Sequence, residues 1–280
     1  MLSYVLSKDV IKRRFKEARF MRERKSLEEL NLSDNYLFAN AMSNEGICKE
    51  FLEKLLHIEI DEIEIAKSEW TEDVYYDAKA VRFDIFVMDS AGQIYDIEMQ
   101  NPNEEDLARR SRYYSSMLDT SELKKGQHYS DLPLSYVIFI CTFDPFHDGR
   151  HIYSFENYCT ENRKIPLQDD SKKIILNTKG TMDDVSEELK DFLKYVEKST
   201  ADMASASNGS LTRHMHDIVE SVKIERRVEF MTLQEMIDEE KKEGIVEKQR
   251  EIAKNLLARG FGQSDISEIT GLSIDEIKEL

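Results

Sequence analysis

The chain has little of what most often advertises a function. Only three of its 280 residues are cysteine, Cys48, Cys141 and Cys159. The number is odd and no two form a CxxC pair. That argues against a disulfide framework and against the common zinc spacings, and it fits thiols in a reducing compartment. No apolar run approaches the roughly 18 residues of a membrane span. The opening MLSYVLSKDVIKRRFKEARFMRERK scatters its apolar residues among charges instead of gathering a signal-peptide core. A cytoplasmic chain with no membrane association is therefore expected. Neither GxxxxGK[ST] nor GxGxxG occurs, so no glycine-rich phosphate cradle is on offer.

Positive charge is also scarce. Lys and Arg number 39 against 56 Asp and Glu, a net charge of −17. At first sight that is a poor balance for a nucleic-acid binder. Residues 1–25 depart from it, with nine Lys/Arg and three Asp/Glu. They read as a basic amphipathic helical arm, either a solvated face or a phosphate-contacting one. An acidic protein still meets DNA where a local basic patch or a bound cation carries the contact.

What is present is a regular alternation of elements. Ser33 and Asp34 are N-cap types before a helix expected over residues 35–57, with Gly46 as its breaking point. Strands are expected at Ile58–Ala66, Val81–Asp89 and Gln93–Gln100. A helix follows over residues 104–123, then a strand apolar throughout at Leu134–Phe143, as burial on both faces requires. Further strands fall at His151–Cys159 and Lys172–Thr178, and a helix at Ser186–Lys198. STADMASASNGS reads as a linker or long turn. Beyond it the chain is helical and highly charged to about Leu257. Two short helices around Gly271 then look like a helix-turn-helix, packed by Ile266, Ile269, Leu272 and Ile277. Three domains are expected: the arm 1–25, an α/β domain 26–198 and a helical region 199–280.

The segment that carries chemistry is RFDIFVMDSAGQIYDIEMQ. Alternation along a strand puts Glu98 and Gln100 on one face. If Ser90-Ala91-Gly92 is a three-residue hairpin loop with Gly92 in the left-handed position, residue 84 faces residue 98. Asp84 and Glu98 then sit directly opposite, with Cα atoms about 4.5–5.5 Å apart. Two carboxylates so close repel unless a cation or proton lies between them. An oxygen-rich site with room for water suits Mg²⁺ or Mn²⁺, and such an ion activates water against a phosphodiester. A loop one residue shorter would turn Asp84 to the other face. Asp96 shares the face of Glu98 and reads as an additional acid of the site or, more simply, as one more exposed carboxylate. The turn residues of CTFDPFHDGRH, Asp144 among them, read as ordinary turn chemistry.

Asp84 followed by Glu98-Met99-Gln100 resembles the D…(D/E)-x-K signature of PD-(D/E)XK phosphodiesterases. With LSDNYLFANAMSN, IEMQNP, RRSRYYSSML and YVIFICTFDPF around it, the chain resembles the Rpn-like PD-(D/E)XK nuclease family transposases over residues 26–180. The resemblance implies an α/β fold, a restriction-endonuclease-like mixed sheet flanked by helices with a mostly helical C-terminal extension. It also implies a metal-dependent DNA endonuclease connected with recombination or mobile elements. Asp84 and Glu98 would ligate the metal, with the Met99 backbone carbonyl as a further candidate ligand. Gln100 stands where the superfamily usually has Lys, and a neutral amide supplies no positive charge. Arg109, Arg110 and Arg112 are candidates for that charge, with Tyr113 and Tyr114 as i,i+4 neighbours of the first two. Asp34 is a candidate acid from the first helix, or only its cap. The competing reading is a catalytically weak or inactive nuclease fold serving as an oligomeric interaction or regulatory module.

The acids of SIDEIKEL would repel phosphates, so the C-terminal pair is expected to pack or oligomerise rather than read DNA. Met215, Ile218, Val222, Met231, Leu233, Ile237, Ile252 and Leu256 form a rough heptad stripe. It suggests a homodimer through the C-terminal helical region, or a helix folded back on its own core.

Overall fold

A computed structural model describes residues 26–72, 81–101, 106–228 and 246–280. The arm 1–25 lies outside them, as do Met231, Leu233 and Ile237. Contacts divide the chain into a larger unit, Glu28–Glu225, and a second unit holding the C-terminal residues.

The expected helix over residues 35–57 is two helices, α1 (Asn35–Met42) and α2 (Glu45–Leu56). The break is not at Gly46. Asn44 adopts an extended conformation and its side chain accepts the Ile47 N–H, restarting the helix there. Gly46 merely occupies the first turn of α2. His57 ends α2 in the left-handed conformation, φ 56°. Ile58–Glu62 is consequently not strand, and the Ile60 N–H bonds the Glu53 carboxylate. β1 starts at Ile63 and runs to Glu72.

β2 (Val81–Asp89) and β3 (Ile94–Gln100) pair antiparallel, and their register decides the site. Ile85 faces Ile97, Phe86 faces Asp96 and Met88 faces Ile94. The Asp89 N–H closes on the Gln93 carbonyl, and Gly92 sits at φ 80°. This is the three-residue loop, with glycine where a side chain would be strained. β4 (Ser135–Cys141), β5 (Ile152–Phe155) and β6 (Ser171–Asn177) complete a mixed six-stranded sheet, order β1-β2-β3-β4-β6-β5. β3, β4 and β6 run parallel and β5 antiparallel to β6.

All seven residues of β4 are buried, as its unbroken apolar run implies. One face of the sheet packs under α3 (Leu107–Glu122). Leu107, Tyr114, Met117 and Leu118 recur at helical spacing and meet Phe86, Val137 and Phe139. The opposite side carries α1 and α2, α4 (Glu187–Glu197), α5 (Ala201–Ala206) and α6 (Ser210–Glu225). α1 rests on β1 and β2, and α6 packs on α1, α2, α4 and α5. Phe51 and Phe192 lie 5.2 Å apart between α2 and α4.

Two expectations change here. STADMASASNGS is not a free linker. Thr200 caps α5, and the Ser199 hydroxyl accepts the Leu32 N–H at 2.7 Å, which ties the segment to the core. The apolar stripe of α6 is covered by its own chain. Met215, Val219 and Val222 are buried among the helices around them, so that stretch needs no second copy.

The C-terminal unit is a small helical cluster. The chain is helical over residues 246–258 (α7), then forms α8 (Gln263–Thr270) and α9 (Ile274–Lys278). Ala253, Ile266, Leu272 and Ile277 make its core, with Leu256, Leu257 and Leu280 against it. Gly271 turns α8 into α9 at φ 78°. Among the described residues no helix is long and apolar enough to cross a membrane.

Candidate active site

Under the first turns of α3 the sheet carries polar side chains instead of apolar ones. Asp96, Glu98 and Gln100 alternate with Ile97 and Met99 along β3 and point to the α3 face. Glu98 is 2% exposed, Gln100 3% and Asp96 0%. Asp96 is thus not the exposed carboxylate its sequence context suggested. The packing of α3 over this face removes it from water.

Beside Glu98 the β2–β3 ladder changes character. The last backbone pair is Ile85 with Ile97. One step on, the Asp84 N–H donates to Glu98 Oε1 at 2.8 Å, and the Met99 N–H donates to Asp84 Oδ2 at 3.0 Å. Each carboxylate is thereby held by the backbone of the opposite strand. Side-chain oxygens have replaced carbonyls in the ladder, which fixes both acids at one gap in the sheet. The cross-strand placement inferred from the loop is the one observed.

From above, α3 lowers Arg110. Its guanidinium donates to Gln100 Oε1, to Tyr114 Oη at 3.0 Å and to Glu98 Oε2 at 3.4 Å. It lies 5.3 Å from the Tyr114 ring centroid and 5.6 Å from that of Phe139. Arg110 and Tyr114 are one helical turn apart, so one face of α3 delivers both. Arg109, Arg112 and Tyr113 point outward and are exposed. Asp34 caps α1, accepting the Tyr36 N–H at 3.0 Å. The loop before α1 still reaches the end of β3, since the Asn101 amide donates to the Ser33 carbonyl and lies near the Asn35 side chain. Asp144 is a turn residue, accepting the amides of Phe146, His147 and Gly149.

Burial makes these acids reluctant to ionise. It pushes Glu98 up to about 8, the charge of Asp84 adds to the rise, and Arg110 and the Asp84 amide oppose it. Asp96 is raised well above the usual carboxylate range, first by burial and then by Glu98 and Asp84. Neither oxygen of the ionised carboxylate meets a donor, whereas the protonated acid shares a hydrogen bond with Glu98. The neutral acid is its favoured form. Tyr114 is raised to about 12 by burial and by Glu98.

Among the described residues no three His, Cys, Asp or Glu side chains stand close enough to hold a metal ion by themselves. The donors that do meet are two carboxylates, Asp84 and Glu98, whose mutual repulsion a cation relieves. A hard cation that keeps several of its waters fits such a two-carboxylate set, and a four-ligand structural site does not. Asp84, Glu98, Gln100, Arg110 and Tyr114 are legible as candidates in the sequence, whereas Phe139 is not and the weight of Asp96 is only partly so. Its signal was a carboxylate at even spacing from Glu98 inside an otherwise apolar strand.

Two family models match the chain. A family model described as PD-(D/E)XK nuclease family transposase matches residues 35–254, which include both carboxylates, Gln100 and Arg110. A second, described as the Rpn/YhgA-like nuclease family C-terminal HTH domain, matches residues 246–280, the unit of α7 to α9. No curated protein and no solved structure matches the chain. The first match spans most of the sequence, and the chain therefore belongs to the PD-(D/E)XK nuclease family transposases and ends in a Rpn/YhgA-type HTH domain.

Proposed function

We propose that this protein is a divalent-metal-dependent phosphodiesterase that cuts DNA at the Asp84–Glu98 gap. The observation that carries the reading is the reciprocal hold of the two acids. Each carboxylate is pinned by the other strand's amide, on a buried face where two negative charges are costly without a cation. Mg²⁺ or Mn²⁺ bound there would supply a water of lowered pKa and draw charge from a phosphoryl oxygen. Asp84 and Glu98 hold it, and the Met99 carbonyl is a further candidate ligand. Gln100 orients groups in the site through its amide. Tyr114 keeps its proton at neutral pH and so serves as a donor, not a base. The family's name, a nuclease family transposase, attaches such cutting to mobile elements.

The rival reading is a silent nuclease fold kept for interaction. It gives no reason for a half-buried and a buried carboxylate held side by side by each other's strands. Supercoiled plasmid incubated with purified protein in Mg²⁺, Mn²⁺ or EDTA tests the choice. Nicking with either ion and none in EDTA is expected. Intact plasmid under all three conditions would favour the silent module.

A further inference from the structure

We infer that Arg110 carries the positive charge of this site to a phosphate, and that Gln100 and Tyr114 position it. The inference rests on the nuclease reading above for its purpose, but on separate contacts for its content. Arg110 touches Gln100, Glu98 and Tyr114 at once, and the Phe139 and Tyr114 rings flank its guanidinium. Its side chain is 26% exposed, so solvent and a docked anion reach it, while Glu98 beside it is 2% exposed. A planar guanidinium serves several acceptors in one plane and stacks on aromatic rings, which suits a phosphate contact better than an ammonium would.

The charge balance supports this. A divalent cation between two ionised carboxylates leaves that trio neutral, and a phosphodiester brings one negative charge. Arg110 supplies the positive charge that remains to be found, at the side chain that stands in place of lysine. Gln100 then has a physical reason to be neutral. A lysine at that position would place a second cation against Arg110, and like charges in a partly buried site repel. The amide oxygen of Gln100 instead accepts from the guanidinium and aims it. The charge stands on α3, and the strand residue Gln100 is its bracket.

The test reads binding as well as cutting. The affinity of the full chain for a short DNA duplex is measured against salt in Ca²⁺, with the duplex checked intact after each titration. Arg110→Met should reduce the slope of log affinity against log salt by about one, the mark of one lost phosphate contact. Arg110→Lys should keep that slope and recover part of the nicking. Gln100→Lys alone should nick less than wild type, whereas Gln100→Lys combined with Arg110→Met should nick more than Arg110→Met alone. A positioning or packing role for Arg110 would not produce that reversal. If Arg110→Met does not fold, as its melting curve would report, Arg110→Lys and the double variant carry the test. An unchanged slope in Arg110→Met, or a double variant no better than Arg110→Met, overturns the inference. A wild type that cuts no plasmid yet shows the Arg110-dependent slope sinks the nuclease reading and leaves this one standing.

Discussion

The acids of β3 and the acids of α9 are similar in number and opposite in consequence. Asp96 and Glu98 lie beneath α3, out of water, where burial pushes Glu98 up to about 8. Asp275, Glu276 and Glu279 are exposed. Glu276 closes a capping box with Ser273, whose hydroxyl and amide hold its carboxyl below the usual range. Asp275 pairs with Lys278 at 2.9 Å. Charge count is thus a weak guide to what an acidic segment does. Desolvated acids create a demand for a cation, while solvated acids cap and pair within a short helix.

The largest effect that would break this comparison is at the Asp84–Glu98 pair. Asp84→Ala and Glu98→Ala should each lower metal-dependent nicking about a thousandfold or more, because a bound metal supplies several kcal/mol and each 1.4 kcal/mol is tenfold. Both variants should keep a cooperative melting transition. Gln100→Ala, losing one hydrogen-bonding bracket, should cost about tenfold. Equal losses in all three would contradict the division of roles.

A second effect concerns pH without metal. The folded chain holds the Glu98 proton up to about 8, whereas an unfolded chain releases it near the ordinary glutamate value of 4.5. The folded state therefore binds the extra proton between those values, and stability in EDTA should fall as pH rises through that window. Melting temperatures from pH 5 to 9 would check this. Glu98→Gln should flatten the decline, and Mg²⁺ at pH 8 should raise the melting temperature of wild type and not of the variant. A wild-type slope surviving in Glu98→Gln would assign the decline elsewhere.

The exposed acids predict smaller changes. If the charge of α9 keeps it from DNA, Asp275→Lys with Glu279→Lys should tighten duplex binding and steepen its salt dependence, without altering nicking rate at saturating DNA. No change in affinity would mean α9 never approaches the duplex. Smallest of all, Ser273→Ala removes an N-cap and should destabilise the C-terminal unit by about 1 kcal/mol, seen as faster amide exchange in α9.

Much of this was legible before any coordinates. Gly92 implied the loop, the loop implied the register, and the register put Asp84 across from Glu98, because strand side chains alternate strictly and one residue of slip reverses every face. β4 announced itself through its unbroken apolar run. Asn44 was missed as a helix break because a capping asparagine and a helical asparagine look alike without their neighbours. STADMASASNGS has a linker's composition, and only the reach of Ser199 to Leu32 makes it part of the core.

What the sequence determined by itself is therefore local and periodic: strand and helix spacing, the hairpin turn, the carboxylate pair and the family. Tertiary structure decided which acids lose their water and which arginine meets them. Asp96 and Asp275 are the same residue type until α3 covers one and, among the described residues, nothing covers the other. Arg109, Arg110 and Arg112 are equivalent in composition until one face of α3 turns down onto β3 and selects Arg110. Burial and selection depend on contacts between segments far apart in the chain, and no spacing rule within one segment contains them.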